Sequence, residues 1–571
     1  MSLGSLGSGS NKFWVSDYRP INSIVIFLYT FPTIIQNRPF GIMTSIPESA
    51  QTSPTSPTTI DSFATCQKEE EKSREDDQSL KPEVGSSPVT WDGPDDPKNP
   101  QNWSLHQKWV TTITISAVTV NVTFSSSAPS SATTRIIEQF LISDEVSYVI
   151  TSIYLFGYVF GPFLFGPGSE MLGRKPVLIF SMACYTLFIL GQVFAPNIQT
   201  LLVTRYFSGF FASSPMTIGS AILADIWAGK DRGLPSSIFS GSVFLGPALG
   251  PLVGGFVAES KLKWNWIFWV MFIFAASATL LMIVILPETC HMALLSQKAE
   301  RLRKQAETPE IAQSIYTEHE RKAITFGEVI RLTLYRPFQM LAEEPILVLV
   351  TAYMSIVYGL LYALFEAFPI IFMERHGLSA SQNGLVFIGV GIGSTLGAFL
   401  NYYLTETLYV PHYARWKGFP PAEYRLWGAM VGGPALVVGT FWFAWTGNYE
   451  SINWAAPAVA TIILGFGIFL IFTSFLTYLI DTYLMYSASA FAANTTIRSL
   501  VAAAFPLFTA QMFNNLGIGW AASLIGFIAL ALAPSPFLFF KYGAFIRTKS
   551  KFAPCVDLKI AKELEESKSP V

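Results

Sequence analysis

The sequence predicts an all-α membrane protein with twelve transmembrane helices, arranged as two six-helix bundles, and with both termini in the cytoplasm. Three observations support this fold class: an apolar composition, recurring long apolar segments, and positive charge concentrated on alternate loops. The 571 residues are 51% hydrophobic and only 13% charged, and their mean hydropathy is +0.41. Because water-soluble proteins do not carry this balance, lipid is the predicted solvent for most of the chain.

Residues 1–105 are predicted to form a disordered cytoplasmic extension. From residue 44 onward they are rich in Ser, Thr, Pro, Glu and Lys, which cannot bury enough apolar area to fold. The apolar run at 21–35 is shorter than the roughly twenty residues that a spanning helix needs. One explanation is that translation begins at Met43 and that residues 1–42 are not native; a peripheral or re-entrant segment is the alternative.

Twelve apolar segments follow, each long enough to cross a bilayer core of about 30 Å. The predicted spans of the first bundle, 106–287, are 108–129, 147–167, 176–194, 199–227, 234–258 and 265–287. Those of the second bundle, 345–545, are 345–372, 381–403, 426–446, 455–482, 487–514 and 518–541. A charged, partly helical cytoplasmic connection at 288–344 separates the bundles, and 546–571 forms a cytoplasmic tail.

The distribution of Lys and Arg predicts the orientation. With the N-terminus inside, roughly fifteen of these residues lie in or beside inner loops and about four in outer loops. The positive-inside rule therefore places both termini in the cytoplasm. Localisation in the plasma membrane is expected rather than in the vacuole, although no sorting signal decides between the two.

Acid-to-proline spacing indicates an internal repeat. Asp225, at the end of span four, precedes Pro251 by 26 residues, and Asp481, at the end of span ten, precedes Pro506 by 25. Parallel repeats of this kind place the substrate near the bilayer midplane, where the two halves meet. We expect Asp225 and Asp481 to make matched gate or helix-end contacts rather than to bind substrate.

Three motifs in the first bundle carry functional hypotheses. The loop after span two contains Gly166, Glu170, Gly173, Arg174 and Lys175, and it either marks topology or forms a gate. Arg205 in span four either reaches the membrane surface or faces a cavity, because a charge at depth is costly. Span five contains Gly246, Gly250, Pro251, Gly254 and Gly255, in which small residues permit close helix packing and proline bends the helix.

These motifs resemble the major facilitator superfamily. The loop after span two is similar to that family's signature loop, with Glu170 where Asp is usual, and the resemblance implies a charge relay that closes the cytoplasmic gate. It also implies that Arg205 takes part in proton transfer. The pattern in span five resembles the antiporter motif of drug:proton exchangers, which implies a hinge that limits leak and favours export over uptake.

Further phrases resemble the fungal drug:proton antiporter-1 branch, which exports azoles, antibiotics and polyamines. They include 91–103 before span one, Trp264–Trp269, Pro287–Thr289, 364–369, 441–445 and 487–494. The resemblance covers about residues 91–550. It implies a fungal exporter of small hydrophobic or cationic compounds.

Span seven provides the predicted binding face. Tyr358, Tyr362, Phe365 and Glu366 share one helical face, and a carboxylate among aromatic rings suits an organic cation. Glu366 is either a site for proton and cation or a solvated residue at the outer end of the span. Further candidates for substrate contact are Tyr154 in span two, and Asn494 and Arg498 in span eleven.

The sequence also indicates which partners are not expected. His and Cys residues do not occur at metal-ligand spacing, and no Gly-x-x-x-x-Gly-Lys-Ser/Thr phosphate loop is present. We therefore predict a transporter without catalysis, cofactor, metal, ATP or nucleic acid, which works as a monomer on a small solute and protons in the lipid bilayer. Two alternatives are an uptake symporter on the same fold and a non-transporting membrane receptor or scaffold.

Overall fold

The computed structural model describes residues 89–229, 231–306, 315–317 and 331–566. The long apolar helices are numbered α1 to α12. Helices α1–α6 are Leu105–Ser127, Asp144–Leu172, Arg174–Val193, Ile198–Ile226, Gly233–Glu259 and Trp266–Ile285. Helices α7–α12 are Pro345–Phe368, Ala380–Leu404, Trp427–Gly447, Ala455–Tyr483, Ser487–Leu516 and Ile518–Leu532. Shorter helices are Thr133–Phe140, His291–Gln305, Arg336–Glu343, Val410–Tyr413, Ser535–Arg547 and Val556–Glu566.

Ten segments within the described residues are long and apolar enough to cross a membrane. One of them, Ala455–Leu516, contains both α10 and α11. Helix α1 is 23 residues long but rich in Thr and Ser, and it is not among the ten. Its hydroxyls bond to carbonyls one turn back, such as Thr119 to Ile115 at 2.9 Å, which removes much of their cost in lipid. The all-helical membrane fold is thus confirmed, whereas the count of twelve spans stays a prediction.

Helix contacts repeat along the chain with an interval of six helices. Helix α1 packs on α5, α2 on α4, and α3 on α6; correspondingly, α7 packs on α11, α8 on α10, and α9 on α12. The two sets of six helices, called the first and second halves below, meet chiefly where α5 lies along α8 and α2 lies along α11. This pattern is that of a parallel repeat.

The two ends of the helix bundle are named by residues near them. The end where α2 connects to α3 is called the Arg174 end, and the end where α5 connects to α6 is called the Trp264 end. Which end faces the cytoplasm stays a prediction, as do the exact limits of the two bundles. Short helices occur in the described parts of the connection between the halves.

The structure differs from the sequence-based expectation at residues 89–104, which fold instead of belonging to a disordered extension. Asp96 accepts hydrogen bonds from the backbone N–H groups of Asp92 and Lys98, and these hold the pKa of its carboxyl below the usual value. Trp91 packs against His291 with ring centroids 5.8 Å apart. The disorder was predicted from the average composition of residues 1–105, which does not reveal contacts made by single residues such as Asp96 and Trp91. The predicted disorder of 44–88, the run at 21–35 and the question of Met43 fall outside the described residues.

Candidate functional site

A charged cluster joins α2, α3 and α4 at the Arg174 end. Arg174 donates from Nε to Asp225 at 3.2 Å and from Nη1 to Ser169 Oγ at 2.7 Å. Gly173 has a φ of +99°, and a Cβ there would lie 2.6 Å from a carboxylate oxygen of Glu288. Glycine is therefore needed both for the turn and for the approach of that acid.

Glu288, which sequence analysis did not single out as a site residue, completes this cluster. Its carboxylate accepts backbone N–H groups from Arg174 at 2.9 Å, Lys175 at 3.1 Å, Thr289 at 2.9 Å and Cys290 at 2.8 Å. One carboxylate thus caps the first turn of α3, where the helix dipole favours a negative charge. The same carboxylate also holds the backbone that follows α6. The available signal was an acid directly after the last apolar residues of span six.

Glu170 lies at the edge of the same cluster. Its carboxylate is 3.9 Å from Arg174 Nη1, and its side chain is 53% exposed. Its backbone carbonyl accepts a hydrogen bond from the Cys290 thiol at 3.7 Å. Burial raises the pKa of that thiol. The Gly166 carbonyl accepts Ser169 Oγ at 2.7 Å, which closes the last turn of α2. The charge-relay role of Glu170 stays a prediction.

A second cluster occupies the repeat-related position in the second half. Asp481, at the end of α10, accepts Arg425 Nε at 2.7 Å and the Tyr409 hydroxyl at 2.9 Å. The Arg425 guanidinium lies 3.5 Å from the centroid of the Tyr409 ring. Both Asp225 and Asp481 therefore form ion pairs at helix ends, and a gating role for them stays a prediction.

The glycines of α5 bring it into backbone contact with α1. A Cβ on Gly246 would lie 2.6 Å from the Val120 carbonyl, and one on Gly250 would lie 2.8 Å from the Ala128 nitrogen. Gly254 faces the turn that follows α1, where an added Cβ would lie 2.8 Å from the Ala128 carbonyl. Separations this short leave no room for a side chain, so packing requires glycine here.

Pro251 adds a hydrogen bond to this packing. Because proline lacks an N–H, the carbonyl of Pro247 loses its helical partner. Ser127 on α1 supplies a replacement by donating to that carbonyl at 3.1 Å. This hydrogen bond ties α5 to α1 at the position of the missing helical bond.

The Trp264 end is closed between the two halves. A Cβ on Gly384 of α8 would lie 2.5 Å from the Pro251 carbonyl, and one on Gly255 of α5 would collide with the Ala380 carbonyl. At the Arg174 end the halves enclose two cavities of about 460 and 410 Å³. Residues that line them include Ser237, Asn401, Thr473 and Asp481 for the larger, and Ser116, Ser242, Leu245 and Ser394 for the smaller. The halves also touch at this end, where Asn401 Nδ2 of α8 donates to Ser237 Oγ of α5 at 3.1 Å.

The aromatic face of α7 lies where the halves meet. Tyr358, Tyr362 and Phe365 are each at most 2% exposed. The hydroxyls of Tyr362 and Ser126, which belong to different halves, are 2.9 Å apart, and the Tyr358 hydroxyl is 3.5 Å from that of Tyr362. The structure thus brings these three predicted residues together.

Glu366 lies on the same helix but away from this hydrogen-bonded group. It is eight residues beyond Tyr358, or about 12 Å along a helix. It is partly exposed, and within the described residues no hydrogen bond or ion pair of its side chain is found. The hydrogen bonds of the aromatic face join Tyr358, Tyr362 and Ser126 and do not include this acid.

Arg205 is fully buried inside the first half. Its guanidinium donates to the carbonyls of Ile150 at 3.1 Å, Ser125 at 2.8 Å and Ser126 at 3.3 Å. It also lies 4.4 Å from the centroid of the Tyr154 ring. This position excludes a side chain that reaches the membrane surface, and a role of Arg205 in proton transfer stays a prediction. Tyr154 therefore holds Arg205 and packs in the interior.

Arg498 and Asn494 are fully buried on α11. Asn494 donates to Thr351 at 3.2 Å. The Arg498 guanidinium lies 4.9 Å from the centroid of Tyr358 and 4.6 Å from that of Phe472. The structure thus places the predicted residues of spans seven and eleven in one group.

Two repeat-related helix sets, with cavities at one end and with charged and aromatic side chains buried where they meet, define a multi-pass membrane protein built for solute transport. The Major Facilitator Superfamily profile matches residues 113–506. The chain belongs to that superfamily, as its motifs indicated.

Relatives with curated descriptions are fungal transporters. The chain is 41% identical over 474 residues to the ascochitine biosynthesis cluster MFS transporter of Didymella fabae, covering 83% of this chain and 90% of that one. It is 38% identical over 475 residues to the MFS-type efflux pump MFS2 of Trichophyton rubrum, covering 83% and 78%. Among solved structures, the proton:xylose symporter XylE matches with a TM-score of 0.57 and 15% identity, covering 77% of this chain and 96% of that one. The last comparison supports the fold alone.

Proposed function

We propose that this protein is an antiporter that exports small hydrophobic or cationic compounds by alternating access, driven by protons that move inward. In this proposal the chain crosses the membrane twelve times, both termini and the Arg174 end face the cytoplasm, and the protein works as a monomer in the plasma membrane. The positive-inside pattern supports the orientation. No catalytic step is proposed.

The observation that carries the proposal is the packing of α5 at the Trp264 end. Its glycines lie against the α1 backbone, Pro251 is tied to α1 through Ser127, and Gly255 meets α8 of the other half. This face resembles the antiporter motif, and here it closes one end while cavities open at the other. The arrangement supports alternating access with a tight seal, and it favours export over uptake.

The nature of the solute is supported by the aromatic face of α7 and by the relatives. Tyr358, Tyr362 and Phe365 offer aromatic surfaces for a hydrophobic compound. The relatives described as biosynthesis-cluster transporters and as an efflux pump support a secondary metabolite or drug as the exported compound. Binding of a cation such as a polyamine would depend on Glu366, the only charged group of the predicted α7 face.

Proton coupling is proposed to involve Arg205 and Glu366. Arg205 is a buried cation that donates hydrogen bonds to carbonyls. A nearby change of charge, such as protonation of an acid, therefore strongly changes its electrostatic energy. Glu366 can exchange a proton because its carboxylate has no bonded partner among the described residues. A Glu366→Gln variant that transports with an unchanged pH profile would remove this acid from the mechanism.

The test uses purified full-length protein in liposomes with a fluorescent hydrophobic dye. An antiporter loads dye into vesicles with an acidic interior, as protons leave. A symporter loads dye when the exterior is acidic, and a receptor or scaffold loads none under either gradient. Only the first result supports the proposal.

A matched pair of variants on α5 tests the seal. Gly250→Ala places a Cβ against Ser127 and Ala128, whereas at Gly241 the nearest atom to an added Cβ is 3.9 Å away, on Phe469. We expect Gly250→Ala to lower coupled transport by about tenfold and Gly241→Ala to leave it unchanged. Equal activity of the two variants, both eluting as monodisperse protein, would contradict the role of this packing.

A further inference from the structure

Arg498 is a buried cation without a counter-ion among the described residues. It is 1% exposed, and its Nε and Nη1 atoms have no hydrogen-bond partner. Its guanidinium lies over the faces of Tyr358 and Phe472, at 4.9 and 4.6 Å from their centroids. Ring faces offset part of the cost of burying a guanidinium, but they leave its N–H groups, which lie at its edge, unbonded.

The other buried arginines of the described chain show what a satisfied guanidinium looks like here. Arg205 donates to three backbone carbonyls. Arg174 binds Asp225, and Arg547 binds both Glu423 and Asp557. The fold can therefore supply acceptors to a buried arginine, and at Arg498 it does not.

Other polar atoms around Arg498 on α11 are also unsatisfied. The Asn494 Oδ1 atom and the Thr495 hydroxyl, four and three residues before Arg498 and so on the same helix face, are buried without partners within the described chain. The Asn494 amide is oriented by Thr351 of α7 at 3.2 Å. Buried polar groups in folded proteins are normally paired, so a group of unpaired ones around a cation indicates a ligand that completes them.

We propose that Arg498 binds the carboxylate of an aromatic acid that the protein exports. A planar carboxylate accepts two parallel N–H bonds from a guanidinium and neutralises it, and Tyr358, Phe472 and Tyr362 provide ring surfaces for the apolar body of the compound. This inference rests on the proposed export function and deepens it, because among hydrophobic compounds it names those that carry a carboxylate. It selects an acid over the cation that Glu366 alone suggests.

Access to Arg498 is controlled by a contact between the halves. Phe472 on α10 covers the guanidinium, and its ring centroid is 4.9 Å from that of Phe244 on α5 of the first half. The next residue in sequence after Phe472, Thr473, lines the larger cavity at the Arg174 end, and the next residue after Phe244, Leu245, lines the smaller one. Separation of the halves at this contact would join the cavities to the guanidinium.

The first experiment measures binding by full-length protein in nanodiscs of phosphatidylcholine, so that no anionic lipid is present. The probes are 1-naphthoate, the neutral 1-naphthamide and the cationic 1-naphthylmethylamine, which share one ring system. We expect naphthoate to bind at least about tenfold more tightly than the amide or the amine. In Arg498→Gln this preference is expected to disappear, whereas Arg498→Lys keeps part of it and the exposed-site control Arg375→Gln keeps all of it.

The outcomes separate the two proposals. A wild-type protein without preference for naphthoate, an Arg498→Gln variant that retains the preference, or displacement of naphthoate by equimolar chloride or phosphate would overturn the assignment of Arg498. Binding of naphthoate without pH-driven movement of any of the three probes in liposomes would instead overturn the export function. The two failures therefore give different results.

A second measurement does not depend on the choice of probe. Since Arg498 is unpaired, we expect Arg498→Met to raise the unfolding temperature of the ligand-free protein by about 2 °C or more. Arg205→Met is expected to lower it, because it deletes three hydrogen bonds. A decrease for both variants would show that Arg498 is a structural residue and would overturn the proposal.

Discussion

The charged clusters at the Arg174 end differ between the two halves, although both are built around an acid at the end of a repeat-related helix. In the first half, Arg174 has one acid within 3.5 Å, Asp225, and the remaining contacts are a hydroxyl and the capped backbone at Glu288. In the second half, the Arg425–Asp481 pair is accompanied by Arg547, which is 2% exposed and bonded to both Glu423 and Asp557.

This difference indicates different tasks. A single charge-assisted bond between one cation and one acid can break and form again at moderate cost, as a gate requires. A buried cation between two carboxylates cannot be opened without leaving uncompensated charge. We therefore expect the first-half cluster to affect transport and the Arg547 cluster to affect folding.

The largest expected effect is on the Arg547 cluster. Arg547→Ala leaves Glu423 and Asp557 buried without their cation, so the free energy of unfolding should fall by about 3–5 kcal/mol. Thermal unfolding in detergent measures this. Lys417→Ala is the control, because Lys417 and Glu563 form an exposed pair worth about 0–1 kcal/mol. Equal unfolding temperatures for the two variants would show that the Arg547 cluster does not stabilise the fold.

The two repeat-related acids provide the next test. Asp225→Asn leaves Arg174 with only Ser169 and the peripheral Glu170, whereas after Asp481→Asn Arg425 still lies on the Tyr409 ring. We expect dye transport to fall by about tenfold for Asp225→Asn, near the lower end of the roughly 1.5–3 kcal/mol of a hydrogen bond to a charged group. For Asp481→Asn we expect a fall of about threefold, because the ring contact remains. Transport assays at equal protein content compare them, and the reverse order would contradict the assignment of the gate to the first half.

Glu288→Gln should have a smaller effect than Asp225→Asn. The amide keeps one acceptor oxygen for the N–H groups of Arg174 and Lys175 but loses the charge that favours the start of α3. We expect transport to fall by about fivefold while the protein remains folded. Glu300→Gln, on the exposed face of the helix His291–Gln305, is the matched control. Loss of activity in both variants would point to a general effect of charge at this end.

Much of the fold follows from patterns that are local in sequence. The lengths of the apolar segments predicted the helices, and the spacing of Gly246, Gly250 and Gly254 predicted a face that another helix approaches closely. The repeat predicted equivalent positions for Asp225 and Asp481, and both lie in ion pairs at helix ends. In each case the spacing of residues along a helix, or between the two repeats, determines which residues share a face or occupy equivalent positions.

The remaining parts of the site depend on tertiary packing. Glu288 caps Arg174 across 114 residues, and Arg547 binds Glu423 across 124, so neither pair is marked by any local spacing. Arg498 was identified as a candidate, but its lack of a counter-ion becomes visible only once all neighbouring helices are placed. Partners of a buried charge are set by which helices pack together, and sequence periodicity does not specify them.

The smallest expected effect concerns Glu170, the residue that the motif alone made most prominent in the gate. Its carboxylate is half exposed and 3.9 Å from Arg174, and pairs of this kind contribute about 0–1 kcal/mol. We expect Glu170→Gln to change dye transport by less than about twofold and to leave the unfolding temperature unchanged. Asp225→Asn in the same assay is the reference. A loss as large as that reference would mean that Glu170 moves into a close ion pair in another conformation of the cycle, and the first-half gate would then contain two acids rather than one.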